Sequence, residues 1–199
     1  MVTFLLSPAW CGGKRAQLLL NDRASFPLAQ RLRTSGSAPL SEVFSFLSGL
    51  YFRGKVTYVR AFAPPGSGAG ALIITPTRGL IEIDTPVSRE DLIEFATVDI
   101  ATNDDRFRIP FERDIAKLAA RSSGKVVLLG SVATGKYVDA LVDLLGERLL
   151  FPGDFVGRGD MSRGGLMLRR AREGRELDYI PVAGAVRHGP RPPKLSRLS

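Results

Sequence analysis

Cysteine and histidine are nearly absent from this sequence of 199 residues, since each occurs once. A single cysteine, Cys11, excludes an internal disulfide framework and is typical of a reducing cytoplasm, where we expect the protein to be located. The one histidine, His188, lies in a proline-rich segment near the end of the chain. These two counts exclude zinc sites of the Cys/His type, and they argue against a histidine-based catalytic triad.

Long apolar runs are also missing, because no stretch approaches the roughly 18–20 residues that a membrane span requires. The first ten residues, MVTFLLSPAW, have neither a basic segment nor a long apolar one, so no signal peptide is predicted. A chain of this length buries roughly 70% of its unfolded surface and needs no disulfide or metal to fold. We therefore expect one domain over residues 1–186, a flexible, basic and proline-rich tail over 187–199, and no membrane partner.

Acidic residues are in deficit, with 20 Asp and Glu against 28 Lys and Arg, which gives a net charge of +8. The excess is uneven: residues 1–60 carry eight basic and two acidic side chains, and residues 151–199 carry ten and five. A basic protein favours polyanionic partners such as nucleic acid or phosphate-bearing molecules. The alternative is that a GC-rich genome favours arginine and the charge has no function.

Short apolar runs alternate along the chain with segments of helical periodicity. This alternation predicts an α/β fold, three-layered and Rossmann-like, with a mostly parallel sheet and helices on both faces. The predicted strands are 3–9, 55–63, 71–75, 125–130, 148–152 and 176–182. The predicted helices are 15–20, 41–51, 88–96, 111–121, 137–145 and 166–173. Ser41 is the expected N-cap of the second helix, Gly54 its expected end, and 64–70 and 101–110 are expected to be connections.

In open parallel sheets, ligands bind beyond the carboxyl ends of the strands, where loops lead into helices. Four loops are expected at that edge, and all of them are rich in small residues, hydroxyl groups and cations. They are Ser7–Lys14, Thr75–Leu80, Gly130–Lys136 and Pro152–Gly165. In the second loop Arg78 is a candidate anion ligand, although a surface turn explains this segment equally well.

The third loop has the form G-x-x-x-x-G-K, which in P-loop proteins surrounds phosphate with backbone amides. Tyr137 stands where a P-loop requires Ser or Thr to bind Mg²⁺, and no later strand supplies the usual acidic partner. Ser131, Thr134 and Lys136 are therefore candidate phosphate ligands at a helix N-terminus rather than parts of an ATPase site. The alternative is a structural turn in which Thr134 caps the helix.

The first loop contains Cys11 beside a lysine, where a helix dipole and a cation would favour a nucleophilic thiolate. Cys11 is accordingly a candidate catalytic residue, although a lone cysteine is more commonly a small buried apolar residue. Gly12, Gly13 and Lys14 form the alternative site, in which backbone amides and one cation bind an anion.

The fourth loop combines glycines with two arginines, Arg158 and Arg163, which are candidate phosphate ligands with bidentate geometry. Asp160 lies between them and is a candidate general acid or base, or a ligand of a ribose hydroxyl. In the alternative interpretation, Asp160 or Ser162 caps the helix that follows.

The order of these motifs resembles that of an uncharacterised group of Rossmann-like bacterial proteins, which is distantly similar to the peroxide-stress proteins. The matching stretches are Cys11–Leu20, Thr75–Leu80 and Gly135–Pro152. The sequence departs from that group at Thr77-Arg78, where Lys-Tyr is usual, and at Lys14, which replaces a pair of cations. The resemblance implies a Rossmann-like fold and a role related to nucleotides or nucleic acid.

Two functional hypotheses follow. The first is a protein that binds a nucleotide, a nucleoside or a nucleic-acid base, with or without catalysing a reaction on it. The second is a DNA- or RNA-binding accessory protein that is not an enzyme and uses its basic N- and C-terminal regions. A third hypothesis is a scaffold protein whose basic face has no function. The sequence specifies no cofactor, reaction or oligomeric state, and it predicts no metal site.

Overall fold

The computed structural model describes residues 2–63, 70–100, 104–133, 135, 137–193 and 195. In chain order, the elements of these residues are β1 (Val2–Leu6), α1 (Lys14–Leu20), α2 (Pro27–Thr34), β2 (Ala38–Pro39), α3 (Leu40–Ser48), α4 (Leu50–Phe62), β3 (Ala71–Thr75), β4 (Gly79–Glu82), β5 (Pro86–Val87), α5 (Arg89–Ala96), α6 (Asp105–Arg121), β6 (Lys125–Leu129), α7 (Val138–Leu145), β7 (Leu149–Pro152), α8 (Asp160–Glu173) and β8 (Tyr179–Pro181). Short 3₁₀ turns at Gly146–Arg148 and Gly153–Phe155 flank β7.

Six of the strands form one sheet in the order β4-β3-β1-β6-β7-β8. The four inner strands are parallel, and β1 lies between β3 and β6, with Phe4 opposite Ala71 on one side and Val127 on the other. The two edge strands, β4 and β8, are antiparallel to their neighbours. The prediction of an α/β protein with a mostly parallel sheet is therefore confirmed.

Helices pack on both faces of this sheet, because the inner strands are apolar at nearly every position and must be covered on each side. Phe4 and Leu6 of β1 face a core that is closed by α1–α5 and α8. Leu5, between them, faces a second core that is closed by α6 and α7. The two cores put the sheet in the middle of three layers.

The segment predicted as a strand over residues 55–63 is helical, and Gly54 does not end a helix but lies inside α4. Its β-branched and aromatic residues favour a strand. Helix α4 is buried around most of its circumference, however, and packs against α8. Tertiary packing has overridden the local preference.

Three smaller predictions also need correction. Ser41 is not an N-cap: it lies within α3, and its hydroxyl donates to Asp84 at 2.6 Å. The connection predicted over 101–110 is helical from Asp105, with Asp104 as the cap, while residues 101–103 lie outside the described part of the chain. The loop predicted over Pro152–Gly165 ends earlier than expected, because α8 begins at Asp160.

The helix predicted over 88–96 is confirmed as α5, and it begins with a capping box of reciprocal hydrogen bonds between Ser88 and Asp91. The predicted connection at 64–70 falls almost wholly outside the described residues. In the C-terminal tail, Arg187 pairs with Asp139 at 3.5 Å, and Leu195 packs against the first core. Among the helices that the structure describes, none combines the length and the apolar character that crossing a bilayer requires.

Candidate functional site

A cleft of about 600 Å³ opens at the carboxyl ends of β1 and β6. The chain leaves β1 toward α1, which packs on the first face of the sheet, whereas it leaves β6 toward α7, which packs on the second. Two adjacent parallel strands whose connections diverge in this way form a topological switch point, where the crevice of an open α/β sheet binds ligands. The cleft therefore lies where the sheet topology predicts a site.

The walls of the cleft come from five parts of the chain. Ser7 ends β1, Ser131 follows β6, and Tyr51 extends from the first turn of α4. The remaining polar or aromatic side chains that line the cleft are Trp10, Lys14, Arg15, Ser48, Tyr137, Asp160 and Arg163. Charged groups in this set are three cations and one carboxylate, so the wall is net positive.

Helices α4 and α8 cross at a pair of glycines that sets the position of two charged side chains. A Cβ atom placed on Gly54 would lie 2.6 Å from the carbonyl oxygen of Gly164, so the helices touch backbone to backbone. Lys55 follows the first glycine and Arg163 precedes the second. Both side chains are buried at this crossing: Arg163 lines the cleft, and Lys55 lies behind the cleft residue Ser7.

Lys55 makes its hydrogen bonds to the end of β1. Its Nζ atom lies 2.6 Å from the Ser7 hydroxyl oxygen and donates to the Ser7 carbonyl oxygen at 3.0 Å. The ammonium also lies 4.1 Å from the centre of the Tyr51 ring. Only 1% of Lys55 is exposed, which is rare for a lysine that has no carboxylate within ion-pair distance among the described residues.

Burial of Lys55 lowers its pKa to about 7, because a buried ammonium loses its hydration. The positive charge of Arg163 lowers the pKa further, and the negative charge of Asp160 raises it. At neutral pH a substantial fraction of Lys55 is therefore an uncharged amine. An uncharged amine has a lone pair that can accept the proton of the Ser7 hydroxyl.

Two buried tyrosines stand around this pair. The Tyr137 hydroxyl lies beside the Ser7 hydroxyl, and burial raises the Tyr137 pKa to about 12. The Tyr51 hydroxyl is adjacent to the Arg163 guanidinium but forms no hydrogen bond of acceptable geometry, and burial raises its pKa as well. Both phenols therefore stay protonated and can act as hydrogen-bond donors.

The rim of the cleft carries an exposed aromatic side chain. Trp10 is 60% exposed, and its ring covers Gly12 and Gly13 so closely that a Cβ on Gly12 would lie 2.6 Å from it. Lys14, the first residue of α1, lines the cleft next to this ring. Arg15 is held across the cleft by a 3.0 Å hydrogen bond to the Phe46 carbonyl oxygen.

Arg163 is fixed more rigidly than the rim cations. Its guanidinium donates twice to the Phe155 carbonyl oxygen, at 3.2 and 3.1 Å, and lies 3.6 Å from Asp160. Asp160 is itself largely exposed at the start of α8. The two residues form one charged edge of the cleft.

The cleft brings together part of the predicted set and separates the rest. Five predicted residues line it: Gly13, Lys14, Ser131, Asp160 and Arg163. Arg78 points elsewhere and pairs with Asp91. Arg158 is engaged with the Asp154 and Pro193 carbonyl oxygens and with Ser162, outside the cleft lining. Gly12 lies under Trp10.

Thr134 and Lys136, two of the predicted phosphate ligands, lie outside the described residues. The residue that follows them, Tyr137, turns inward, and its ring contacts Phe111 in the second core. Within the described part of this loop, Tyr137 therefore has two contacts: its ring packs in the second core, and its hydroxyl lies beside Ser7.

Cys11 is buried, with its thiol donating to the Ala9 carbonyl oxygen at 3.7 Å. Burial raises the Cys11 pKa to about 12, so the thiolate is scarce at neutral pH. These properties argue against a nucleophilic role and favour the alternative, a small apolar residue of the core. Cys11 is also absent from the residues that line the cleft.

Sequence reasoning missed Lys55 and Tyr51 and used Ser7 only as the start of a loop. The error has one cause, since reading 55–63 as a strand separates Lys55 from Tyr51. On a helix, residues four apart share a face, so Tyr51, Lys55 and Val59 project together. A lysine among apolar residues on one face of a helix was the sequence signal that could have identified Lys55 as a candidate site residue.

The described part of the chain has no group of three or more His, Cys, Asp or Glu side chains arranged to hold a metal ion. The fold and the cleft define an α/β protein with an open, net positive crevice at the switch point of its sheet. No protein-family model matches the chain, and no match is found among curated proteins or solved structures.

Proposed function

We propose that the cleft binds a phosphate-bearing small molecule with an aromatic base, of the nucleotide class. The observation that carries this proposal is that exposed Trp10 lines the same cleft as Lys14, Arg15 and Arg163, at the switch point of the sheet. Trp10 offers a flat apolar surface on which a base can stack. The cations supply the attraction for phosphate.

The fold supports the same assignment, and we propose that it is Rossmann-like in its central part. Strands β3, β1, β6 and β7 are parallel, and the connections after β1 and β6 leave on opposite faces. This arrangement underlies nucleotide binding in doubly wound α/β proteins, although a fold by itself specifies no ligand. The cytoplasm, with its reducing conditions, is the proposed location for a protein whose single thiol stays free.

A ligand panel tests the proposal, because Trp10 is the only tryptophan in the chain and its fluorescence reports on the cleft. Nucleoside mono- and diphosphates, nucleosides, inorganic phosphate and short DNA and RNA strands are compared at two salt concentrations. We expect saturable quenching and a higher Tm with one class of nucleotide. The proposal fails if no nucleotide or nucleoside changes either signal.

Two variants of equal charge sharpen this test. Lys14→Ala removes a cation from the cleft and should weaken nucleotide binding by about tenfold. A tenfold change corresponds to about 1.4 kcal/mol, close to the lower end of what one hydrogen bond to a charged group contributes. Lys125→Ala removes a cation at the amino end of β6, on the opposite edge of the sheet, and should leave binding unchanged. Equal losses in both variants would indicate a nonspecific charge effect.

The nucleic-acid strands in the panel address the second function, that of a DNA- or RNA-binding accessory protein. Binding through phosphate contacts falls steeply with salt and depends little on base identity. Tight, salt-sensitive binding of strands without any response to single nucleotides would favour this function over a nucleotide site.

A further inference from the structure

We propose that Ser7 and Lys55 form a nucleophile and general-base pair that hydrolyses an ester bond of the ligand. The inference rests on the proposed function, because the ester is assumed to belong to an anion-bearing molecule in the same cleft. Serine with lysine as its base is a known variant of the serine–histidine arrangement. In the described residues that line this cleft, there is no histidine to take the part of the base.

The two residues are placed as such a pair requires. Ser7 lines the cleft, and Lys55 lies behind it, sealed from solvent. The Ser7 amide donates to the Leu129 carbonyl oxygen at 3.2 Å, which fixes the backbone of the nucleophile between β1 and β6. The 3.0 Å bond from Nζ to the Ser7 carbonyl oxygen uses one amine hydrogen and holds the base 2.6 Å from Oγ.

A general base must have a free lone pair, so Lys55 must be an uncharged amine. The surroundings of Lys55 favour this uncharged form. Tyr51 faces it from its own helix, and the charges of Asp160 and Arg163 act on it from α8. Tyr137, in the loop after β6, reaches the Ser7 hydroxyl rather than Lys55 itself. Burial and the charge of Arg163 lower the Lys55 pKa to about 7, and Asp160 opposes them. A base whose pKa lies near the working pH is the most effective one.

A donor for the oxyanion is also present. The Tyr51 O–H is buried and has no acceptor among the residues that the structure describes, and Tyr51 belongs to the cleft lining. A buried polar group without a partner costs stability, and such groups occur where a ligand or a transition state supplies the partner. We assign Tyr51 as the donor to the oxygen that becomes negative in the tetrahedral intermediate.

The reaction is balanced with water as the only co-substrate. Oγ of Ser7 attacks the ester carbonyl carbon as its proton passes to the Lys55 amine. The bond to the leaving-group oxygen then breaks, and the Lys55 ammonium returns the proton to that oxygen. Water attacks the acyl–Ser7 ester, again with Lys55 accepting and then releasing the proton, and free acid and Ser7 are regenerated.

A fluorophosphonate probe tests the nucleophile without any nucleotide, because serine Oγ displaces fluoride from phosphorus and stays covalently bound. We expect one adduct per chain, located on Ser7 by peptide mass spectrometry, with a rate that rises through pH 7 and levels off above pH 8. Hydrolysis of 4-nitrophenyl acetate should follow the same pH profile and fall at least tenfold in Ser7→Ala.

Two further variants separate the base from the fold. Lys55→Met keeps the volume and apolar stem of the side chain and should slow labelling at least tenfold. Ser45→Ala is the control: Ser45 belongs to α3 and lines a different groove, so this variant should be labelled at the wild-type rate. No adduct on wild-type Ser7, or equal labelling of wild type and Lys55→Met, overturns the proposal. Because wild-type labelling requires no variant to fold, and the nucleotide panel is read separately, the proposed function and this inference can fail independently.

Discussion

Gly54 of α4 faces Gly164 of α8 at a separation that leaves no room for a side chain on either residue. A Cβ on Gly54 would lie 2.6 Å from the Gly164 carbonyl oxygen, and a Cβ on Gly164 would lie 2.6 Å from that of Leu50. Because the obstacles are backbone atoms, they cannot rotate away. The crossing therefore determines how far Lys55 and Arg163 reach under the cleft.

Gly164→Ala should lower the free energy of unfolding by about 2 kcal/mol, since overpacking a tight contact forces the helices apart. Urea denaturation followed by circular dichroism measures this change. Gly165→Ala, one residue further along α8, is the matched control, because among the described residues its Cβ would meet only Leu195 Cδ1, at 3.6 Å. That variant should be neutral or up to about 1 kcal/mol more stable. Equal destabilisation by both would contradict the role of the crossing.

Lys55 should make stability depend on pH in a defined window. Its folded pKa, about 7, lies below the ordinary value of 10.5, so between these pH values the unfolded chain binds the extra proton. The contribution of Lys55 to the free energy of unfolding therefore rises as the pH increases from 7. Between pH 7 and 9, wild type should gain about 2 kcal/mol relative to Lys55→Met, close to 1.36 kcal/mol per pH unit.

The measurement is a series of urea denaturations of both proteins at closely spaced pH values from 7 to 9. Ionisation of the Cys11 thiol in the unfolded chain begins in this range, but it is common to wild type and Lys55→Met and therefore cancels in their difference. Lys125→Met is the control, because its residue is exposed at the start of β6 and should follow wild type throughout. A constant difference between wild type and Lys55→Met across the window would show that Lys55 is not buried as a neutral amine.

The sheet could be predicted because its inner strands are short apolar runs that the chain separates with helical patterns. Residues 125–129 illustrate this, since KVVLL is buried at four of five positions and pairs on both sides. Helix α4 could not be predicted, because β-branched and aromatic residues are equally suited to a strand and to a helix buried on most sides. Only the contact between Gly54 and Gly164, more than 100 residues apart, decides between them.

The site was predicted in part for the same reason. The loops after β1 and β6 follow recognisable strands, so Lys14 and Ser131 were assigned to the correct edge of the sheet. Lys55 comes from the misread helix and was not found. Arg158 and Arg163 are similar in sequence, but α8 begins between them and carries only Arg163 into the cleft.

Cys11 should react slowly with thiol reagents although it is close to a lysine in sequence. The thiol is buried and its pKa is raised to about 12, so both access and thiolate are limited. At pH 8 we expect modification by a disulfide reagent to be at least about tenfold slower in native protein than in urea. Ser35→Cys in a Cys11→Ala background places a thiol in an exposed turn and should react at the rate of a free peptide. Rapid reaction of native Cys11 would restore it as a candidate nucleophile.

Two tyrosines of α4 should respond in opposite ways to loss of the hydroxyl. The Tyr58 hydroxyl accepts from the Leu177 amide at 2.7 Å and shares a hydrogen bond with Tyr179 at 2.5 Å, so Tyr58→Phe should cost about 1–3 kcal/mol of stability. The Tyr51 hydroxyl forms no hydrogen bond of acceptable geometry with any residue that the structure describes, so Tyr51→Phe should be neutral or stabilising in urea denaturation.

The same Tyr51→Phe protein should hydrolyse 4-nitrophenyl acetate at least about tenfold more slowly, since the oxyanion loses its donor while Ser7 and Lys55 stay in place. Labelling of Ser7 by the fluorophosphonate then separates folding from catalysis, because the adduct still forms at a reduced rate. A variant that gains stability and loses hydrolysis would show that the buried, unpaired hydroxyl is retained for the reaction. A variant that loses stability to the extent of Tyr58→Phe would instead show that Tyr51 has a structural partner.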